Sequence, residues 1–255
     1  GRAGRVASLR ESGETWGEAN ALLRLGNVAY TVGEFSEARH FYQNSLRLRQ
    51  ESGDRRGVAL CLNNLGSVAD TLGEYEEARK LYRQSMGIKR DIGDRRGLAY
   101  SLNNLGHLGW LVGEHPQAKK DLEECLALFK EIGDRKGMGF ALTNQGNILF
   151  AENKLAEAQT LYQESLQICQ EMGYQIGVAY AYGHLGQISQ KKEDYDQALA
   201  TYQLALQAAE TVKATPVSLE ILARVATLFV AMGRLAEASH LVQLLLAQPA
   251  IRQHT

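Results

Sequence analysis

Cysteine is scarce in this 255-residue chain. Only Cys61, Cys125 and Cys169 occur, far apart and without a Cys-x-x-Cys or Cys/His spacing. That pattern predicts no disulfide framework and no zinc site, and it reads as three buried thiols in a reducing, cytoplasmic setting. Charge of one sign is also missing. The 28 basic and 29 acidic residues leave a net charge of -1, which removes any general attraction to nucleic acid or to an anionic membrane. No apolar run is long enough to span a bilayer: the longest, from Ile221 to Met232, is interrupted by Arg224. An apolar signal-peptide core is missing near residue 1. Phosphate-loop, Gly-x-Ser-x-Gly and His-Glu-x-x-His motifs are absent too, and carboxylates such as Glu74, Glu76 and Glu77 sit in recurring strings that suit a solvated helix face. Neither catalysis nor a cofactor or metal is expected.

What the chain does have is a period of forty. Glycines stand at 26, 66, 106, 146 and 186, and a second series at 17, 57, 97, 137 and 177. Alanines follow at 38, 78, 118, 158, 198 and 238, each four residues before Tyr42, Tyr82, Leu122, Tyr162, Tyr202 and Val242. Inside one unit, Leu62, Leu65, Gly66 and Ala69 recur three or four residues apart, a helical stripe. This spacing predicts a first helix from about Arg56 to Leu72, stopped at Gly73, where the left-handed conformation is open to glycine. Asn153 takes that place in the fourth unit. A second helix is expected from about Glu74 to Ile92, ending at Gly93, with Asp94 capping the next first helix. One such pair cannot bury its apolar faces alone, so neighbours must stack.

The Leu-Gly of the first helix, followed by Ala and an aromatic in the second, resembles the tetratricopeptide repeat signature over nearly the whole chain. The units depart from it in being forty residues long, in lacking the usual closing proline and in carrying Ala226 where the sixth glycine belongs. Long repeats of this kind are similar to those of LGN/Pins polarity adaptors and kinesin light chains. The Gly-Asp-Arg junctions most resemble the sensor arms of bacterial signal-transduction ATPases with numerous domains. The resemblance implies an all-α, right-handed superhelical solenoid of about six antiparallel helix pairs in one array. Its expected divisions are a preceding-repeat tail at 1–13, repeats at 14–53, 54–93, 94–133, 134–173 and 174–213, a degenerate repeat at 214–248 and a tail at 249–255. Residues Ala7 to Gly13 align with Arg47 to Gly53, the back half of a second helix, so both ends are read as cut from a larger protein.

With Gly66 at position eight, the apolar stripe uses positions four, seven, eight and eleven, and the resemblance implies that two, five, nine and twelve line a concave groove. The candidate ligand-binding residues are Asn27, Asn63, Tyr100, Asn103, His107, Trp110, Phe140, Asn147, Phe150 and Tyr180. Asparagine is a poor helix former, so its recurrence in mid-helix asks for another use. Either the amides bind an extended peptide or, with Asn64, Asn104 and Asn144, they tie adjacent helices together. The aromatics read as an anchor site or as packing between repeats. His107 is either a contact for an anionic or polar group or a neutral hydrogen-bonding neighbour of Trp110. The basic ridge of Arg55, Arg56, Arg95, Arg96, Arg135 and Lys136 either receives an acidic partner or is a solvated face offset by capping Asp54, Asp94 and Asp134. The expected partners are a protein or peptide, or a small inducer, and intramolecular domains of a longer protein; nucleic acid and membrane are not. The resemblance implies a non-catalytic sensor of a signalling ATPase, with a constitutive peptide-binding scaffold as the rival.

Overall fold

A computed structural model describes residues 2–247 of the chain, with side chains from Thr15 onward. The described residues form twelve α-helices and no strand, and they fall into two compact units that meet between Gly133 and Asp134, a repeat boundary. The first unit holds α1 (Arg2–Thr31), α2 (Phe35–Glu51), α3 (Arg55–Thr71), α4 (Tyr75–Asp91), α5 (Arg95–Leu111) and α6 (His115–Ile132). The second holds α7 (Arg135–Ala151), α8 (Leu155–Glu171), α9 (Gln175–Lys191), α10 (Tyr195–Thr211), α11 (Thr215–Ala231) and α12 (Leu235–Ala247). Within each unit every helix packs on the one before it and the one after it. The all-α, stacked helix-pair architecture is therefore the one the forty-residue period predicts. Its helix limits fall within one residue of those expected for the second repeat.

The junctions follow from local chemistry. Gly73 and Gly93 turn left-handed, at φ +76° and +70°, and the next amides reach back to close each helix: Glu74 N donates to Ala69 O at 2.8 Å and Asp94 N to Lys89 O at 2.9 Å. Asp54, Asp94 and Asp134 then accept from the amides of Gly57, Gly97 and Gly137, as N-caps do. Asn153 is left-handed as expected, but so are Glu193 and Lys213, at φ +63° and +53°, in the places glycine holds in earlier repeats. A Cβ strains that conformation, so Glu193→Gly is expected to stabilise the protein by about 0.5–1 kcal/mol. The thermal midpoint followed by circular dichroism should rise by about 1–4 °C; an unchanged or lower midpoint contradicts the strain. One junction differs from expectation. Helix α1 runs unbroken through Gly13, where the register places a stop; Glu14 stands there in the position of the capping aspartates.

Packing inside each pair explains the first glycine series. A Cβ on Gly66 would lie 2.7 Å from the ring of fully buried Tyr82, and the same holds for Gly26 with Tyr42, Gly146 with Tyr162 and Gly186 with Tyr202. In the third repeat Leu122 replaces the ring and crowds Gly106 just as closely. In the sixth repeat Ala226 takes the glycine position and the shorter Val242 the tyrosine position. Within each unit the tyrosines also pack on the next first helix: Tyr42 joins Leu65 and Val68, Tyr82 joins Leu105 and Leu108, Tyr162 joins Ile188, and Tyr202 joins Val225 and Leu228. Serines fasten the other end of several pairs, with Ser85 Oγ donating to Ala59 O at 2.7 Å and Ser165 Oγ to Gly139 O at 2.9 Å.

Candidate functional site

In the first unit a cavity of about 560 Å³ opens where the starts of α3 and α5 meet α1 and the ends of α2 and α4. Trp16, Leu60 and Tyr100 give it apolar wall, while Arg56 and Arg96 stand at its rim above the capping Asp54 and Asp94. Two basic side chains form its floor. Arg49, 5% exposed, is fully engaged: it pairs with Asp54 at 2.5 Å and donates to Asn20 Oδ1 at 2.6 Å and to Ser45 Oγ at 3.2 Å.

Lys89, equally buried, is held differently. Its Nζ donates to Ser101 Oγ at 2.9 Å and to Asn63 Oδ1 at 3.3 Å, both neutral acceptors. Burial pushes its pKa down to about 8, against the opposing charge of Asp94. Asn63 Oδ1 also accepts from Ser101 Oγ at 3.1 Å, so this amide is the hub beneath the cavity. The second glycine series makes room for the floor. A Cβ on Gly57 would strike the Arg49 guanidinium, and one on Gly97 would lie 3.0 Å from Lys89 Cδ.

Asn63 and Tyr100 are the two sequence-predicted residues that line this cavity; the Tyr100 ring also stands edge-on to Phe129, with centroids 4.9 Å apart. The other amides tie helices. Asn27 Oδ1 accepts from Tyr42 Oη at 2.9 Å and from Asn64 Nδ2 at 3.2 Å, and buried Asn147 accepts from Tyr162 Oη at 2.8 Å. Asn103 is buried as well. His107 lies further along α5, its Nδ1 3.6 Å from Asp70 Oδ2 and its ring 5.5 Å from that of half-buried Trp110.

In the second unit, Phe140 meets Tyr174 edge-on and the Lys136 ammonium sits over both rings. Phe150 packs against the Tyr162 and Ile188 cluster, and Tyr180 against the core shared by α9, α10 and α11, where burial raises its pKa.

The basic ridge divides into two faces. Arg55, Arg95 and Arg135 pair with Asp91, Glu131 and Glu171 at the end of the following second helix. Arg56 and Arg96 line the cavity, with Arg56 Nε 3.7 Å from Asp94 Oδ2. Sequence reasoning missed Trp16, Arg49 and Lys89. A signal was available: the forty-residue column that reads Arg49, Lys89, Phe129, Cys169, Ala209 is buried throughout and basic only in its first two members. Among the described residues no helix is long and apolar enough to cross a membrane, and no His, Cys, Asp and Glu cluster could hold a metal.

A tetratricopeptide repeat family profile matches residues 17–91 and 97–171, and a second profile of the same description matches 179–211. The chain belongs to the tetratricopeptide repeat family. No curated protein matches this tetratricopeptide repeat chain. Among solved structures it is similar to a Rap protein complexed with Competence and Sporulation Factor, at 16% identity and TM-score 0.81, over 92% of this chain and 66% of that one. It is also similar to BtubC from P. vanneervenii, at 18% identity and TM-score 0.61, over 88% and 91% of the two chains. A putative kinesin light chain of Podosopora anserina matches at 16% identity and TM-score 0.54, over 76% and 96%. At these identities the likeness is one of fold. The glycine, alanine and tyrosine positions that define the tetratricopeptide repeat are the close-packing positions described above, so the family signature and the helix-pair geometry are one observation.

Proposed function

We propose that this tetratricopeptide repeat chain is a non-catalytic binding module that receives a carboxylate-bearing protein or peptide in the cavity of its first unit. Lys89 carries the reading. An ammonium taken out of water costs stability unless it is paired, and here its two close acceptors are neutral. A ligand carboxylate entering beside Tyr100 and Asn63 would add a direct countercharge to the more distant one of Asp94, with Arg56 and Arg96 steering it from the rim. The Rap structure offers a precedent for a similar fold holding a partner. We further propose that the module is the sensor arm of a larger bacterial signalling ATPase, as its Gly-Asp-Arg junctions suggest. A small acidic inducer fits the same site, and a constitutive scaffold is the rival reading. A phosphate-loop ATPase module encoded upstream supports the sensor, and its absence favours the scaffold.

A fluorescein-labelled glutamate-rich peptide and its glutamine counterpart test the site directly. The acidic peptide is expected to bind more tightly, to weaken with added salt and to lose at least about tenfold in affinity in Lys89→Met or Tyr100→Ala. Equal affinity for the two peptides, or unchanged affinity in both variants, would sink the assignment. Native mass spectrometry of the purified chain, looking for a retained acidic peptide or metabolite, is the complementary search for the natural ligand.

A further inference from the structure

One acidic side chain on α3 stands outside both the repeat pattern and the ion-pair network. The forty-residue column through Asp70 reads Tyr30, Asp70, Trp110, Phe150, Gln190 and Val230, so stacking the repeats requires no charge there. Asp70 lies in the last turn of α3, where the helix dipole disfavours a carboxylate and no basic residue offsets it. Its Oδ1 is buried without a hydrogen-bond partner, while the Tyr82 hydroxyl beside it donates to Ser67 Oγ at 3.3 Å. Among the described residues no lysine or arginine pairs with Asp70; its basic neighbour is His107, with Nδ1 3.6 Å from Oδ2. The Asp70 side chain keeps 15% exposure and that of His107 38%, so the pair is within reach of a ligand.

We propose that the ligand of the first unit is dipolar and lies lengthwise along α3, with its acidic group at Lys89 and a basic group at Asp70. This rests on the acidic ligand proposed above and adds the second charge it carries. Asn63, which accepts from Lys89 Nζ at 3.3 Å, begins a stripe that continues through Ser67 to Asp70 on one face of the helix. Seven helical positions separate Asn63 from Asp70, about 10.5 Å along the axis. An extended peptide covers about 10 Å in three residues. The ligand is therefore a segment with a glutamate or aspartate and a lysine or arginine three residues apart. Charge complementarity selects it. Lys89 and Asp70 are opposite charges at the two ends of one stripe, and each departs from its column within the second repeat. An ammonium or guanidinium at Asp70 gives that carboxylate a full countercharge, whereas a second ligand carboxylate there is repelled.

Fluorescence anisotropy of the full 255-residue chain with fluorescein-labelled Gly/Ser peptides tests this. One peptide carries a single glutamate, with glutamine three residues away; two others carry lysine in place of that glutamine, one on each side of the glutamate. One of the two lysine peptides is expected to bind about tenfold more tightly than the single-glutamate peptide. That gain should vanish in Asp70→Asn, and also in His107→Lys, which sets a fixed cation beside the carboxylate at an exposed position and serves should Asp70→Asn fail to fold. If the single-glutamate peptide binds through Lys89 but lysine adds nothing in either order, the dipolar ligand is overturned while the acidic site stands. A gain that survives both variants overturns it as well. If none of the peptides binds, the acidic site itself falls, and this proposal with it.

Discussion

Gly66→Ala is expected to destabilise the protein by about 2 kcal/mol and to lower its thermal midpoint by about 4–8 °C. The sign is not obvious, since alanine is the better helix former by about 1 kcal/mol. The space decides it. The new methyl would lie 2.7 Å from the Tyr82 ring, which is buried among Ala69, Ala78, Leu105 and Leu108 and has nowhere to move. Overpacking of a filled core typically costs more than the propensity returns. The sixth repeat pairs the two changes, with Ala226 at the glycine position and the shorter Val242 at the tyrosine position. Tyr82→Val alone should cost about 3 kcal/mol through the cavity it leaves. The double substitution Gly66→Ala with Tyr82→Val should cost at least about 1 kcal/mol less than the sum of the single changes. Thermal melts of the four proteins give the cycle directly. Simple additivity would show that the glycine is not there to admit the ring.

Lys89→Met is expected to do the reverse and stabilise the protein at neutral pH. Lys89 has a pKa of about 8 in the folded chain against 10.5 in the unfolded one, so the unfolded chain holds that proton more tightly between the two values. Below about pH 8 the folded protein carries the full cost of the buried ammonium. Stability is recovered as the pH rises from about 8 to 10.5. The shift corresponds to about 3 kcal/mol, and leaving Asn63 and Ser101 without their donor offsets about 1–2 kcal/mol of the gain. The methionine variant should therefore exceed wild type by about 1–2 kcal/mol at pH 7, with the gap narrowing as the pH climbs from 8 toward 10.5. Urea unfolding of both proteins across that range measures it. The buried tyrosines and cysteines titrate in both proteins and cancel in the difference. A variant less stable than wild type at pH 7 would mean that the ammonium holds the fold together, and the argument that it is kept for a ligand would fall. If the stabilised variant also loses the acidic peptide, the residue trades stability for binding.

Much of this was legible in the sequence because it depends on local periodicity. The forty-residue spacing of Gly66, Ala78 and Tyr82 carries the helix pairs. Gly73, Gly93 and Asp94 carry the ends, since left-handed turns and caps are chosen by residues within a few positions of each other. The candidate site was half legible. Position within a helix placed Tyr100 and Asn63 on a common side, but it could not say which amides face a cavity and which face another helix. Asn27 and Asn147 have the same residue type and lie on the same helix face, one turn further along than Asn63. They are engaged by Tyr42 and Tyr162 across the pair, a contact fifteen residues away in sequence.

By itself, then, the sequence determined the all-α repeat architecture, the junctions and the close approach of glycine to its large partner, all encoded within one unit of forty residues. The tertiary structure alone decided that Arg49 and Lys89 end as the floor of a cavity shared by α1, α3 and α5, and that Arg56 and Arg96 turn toward it while Arg55 and Arg95 turn away. Burial and countercharge are properties of several helices brought together, so the cost of the Lys89 ammonium, and with it the case for an acidic ligand, exists only once the pairs are stacked.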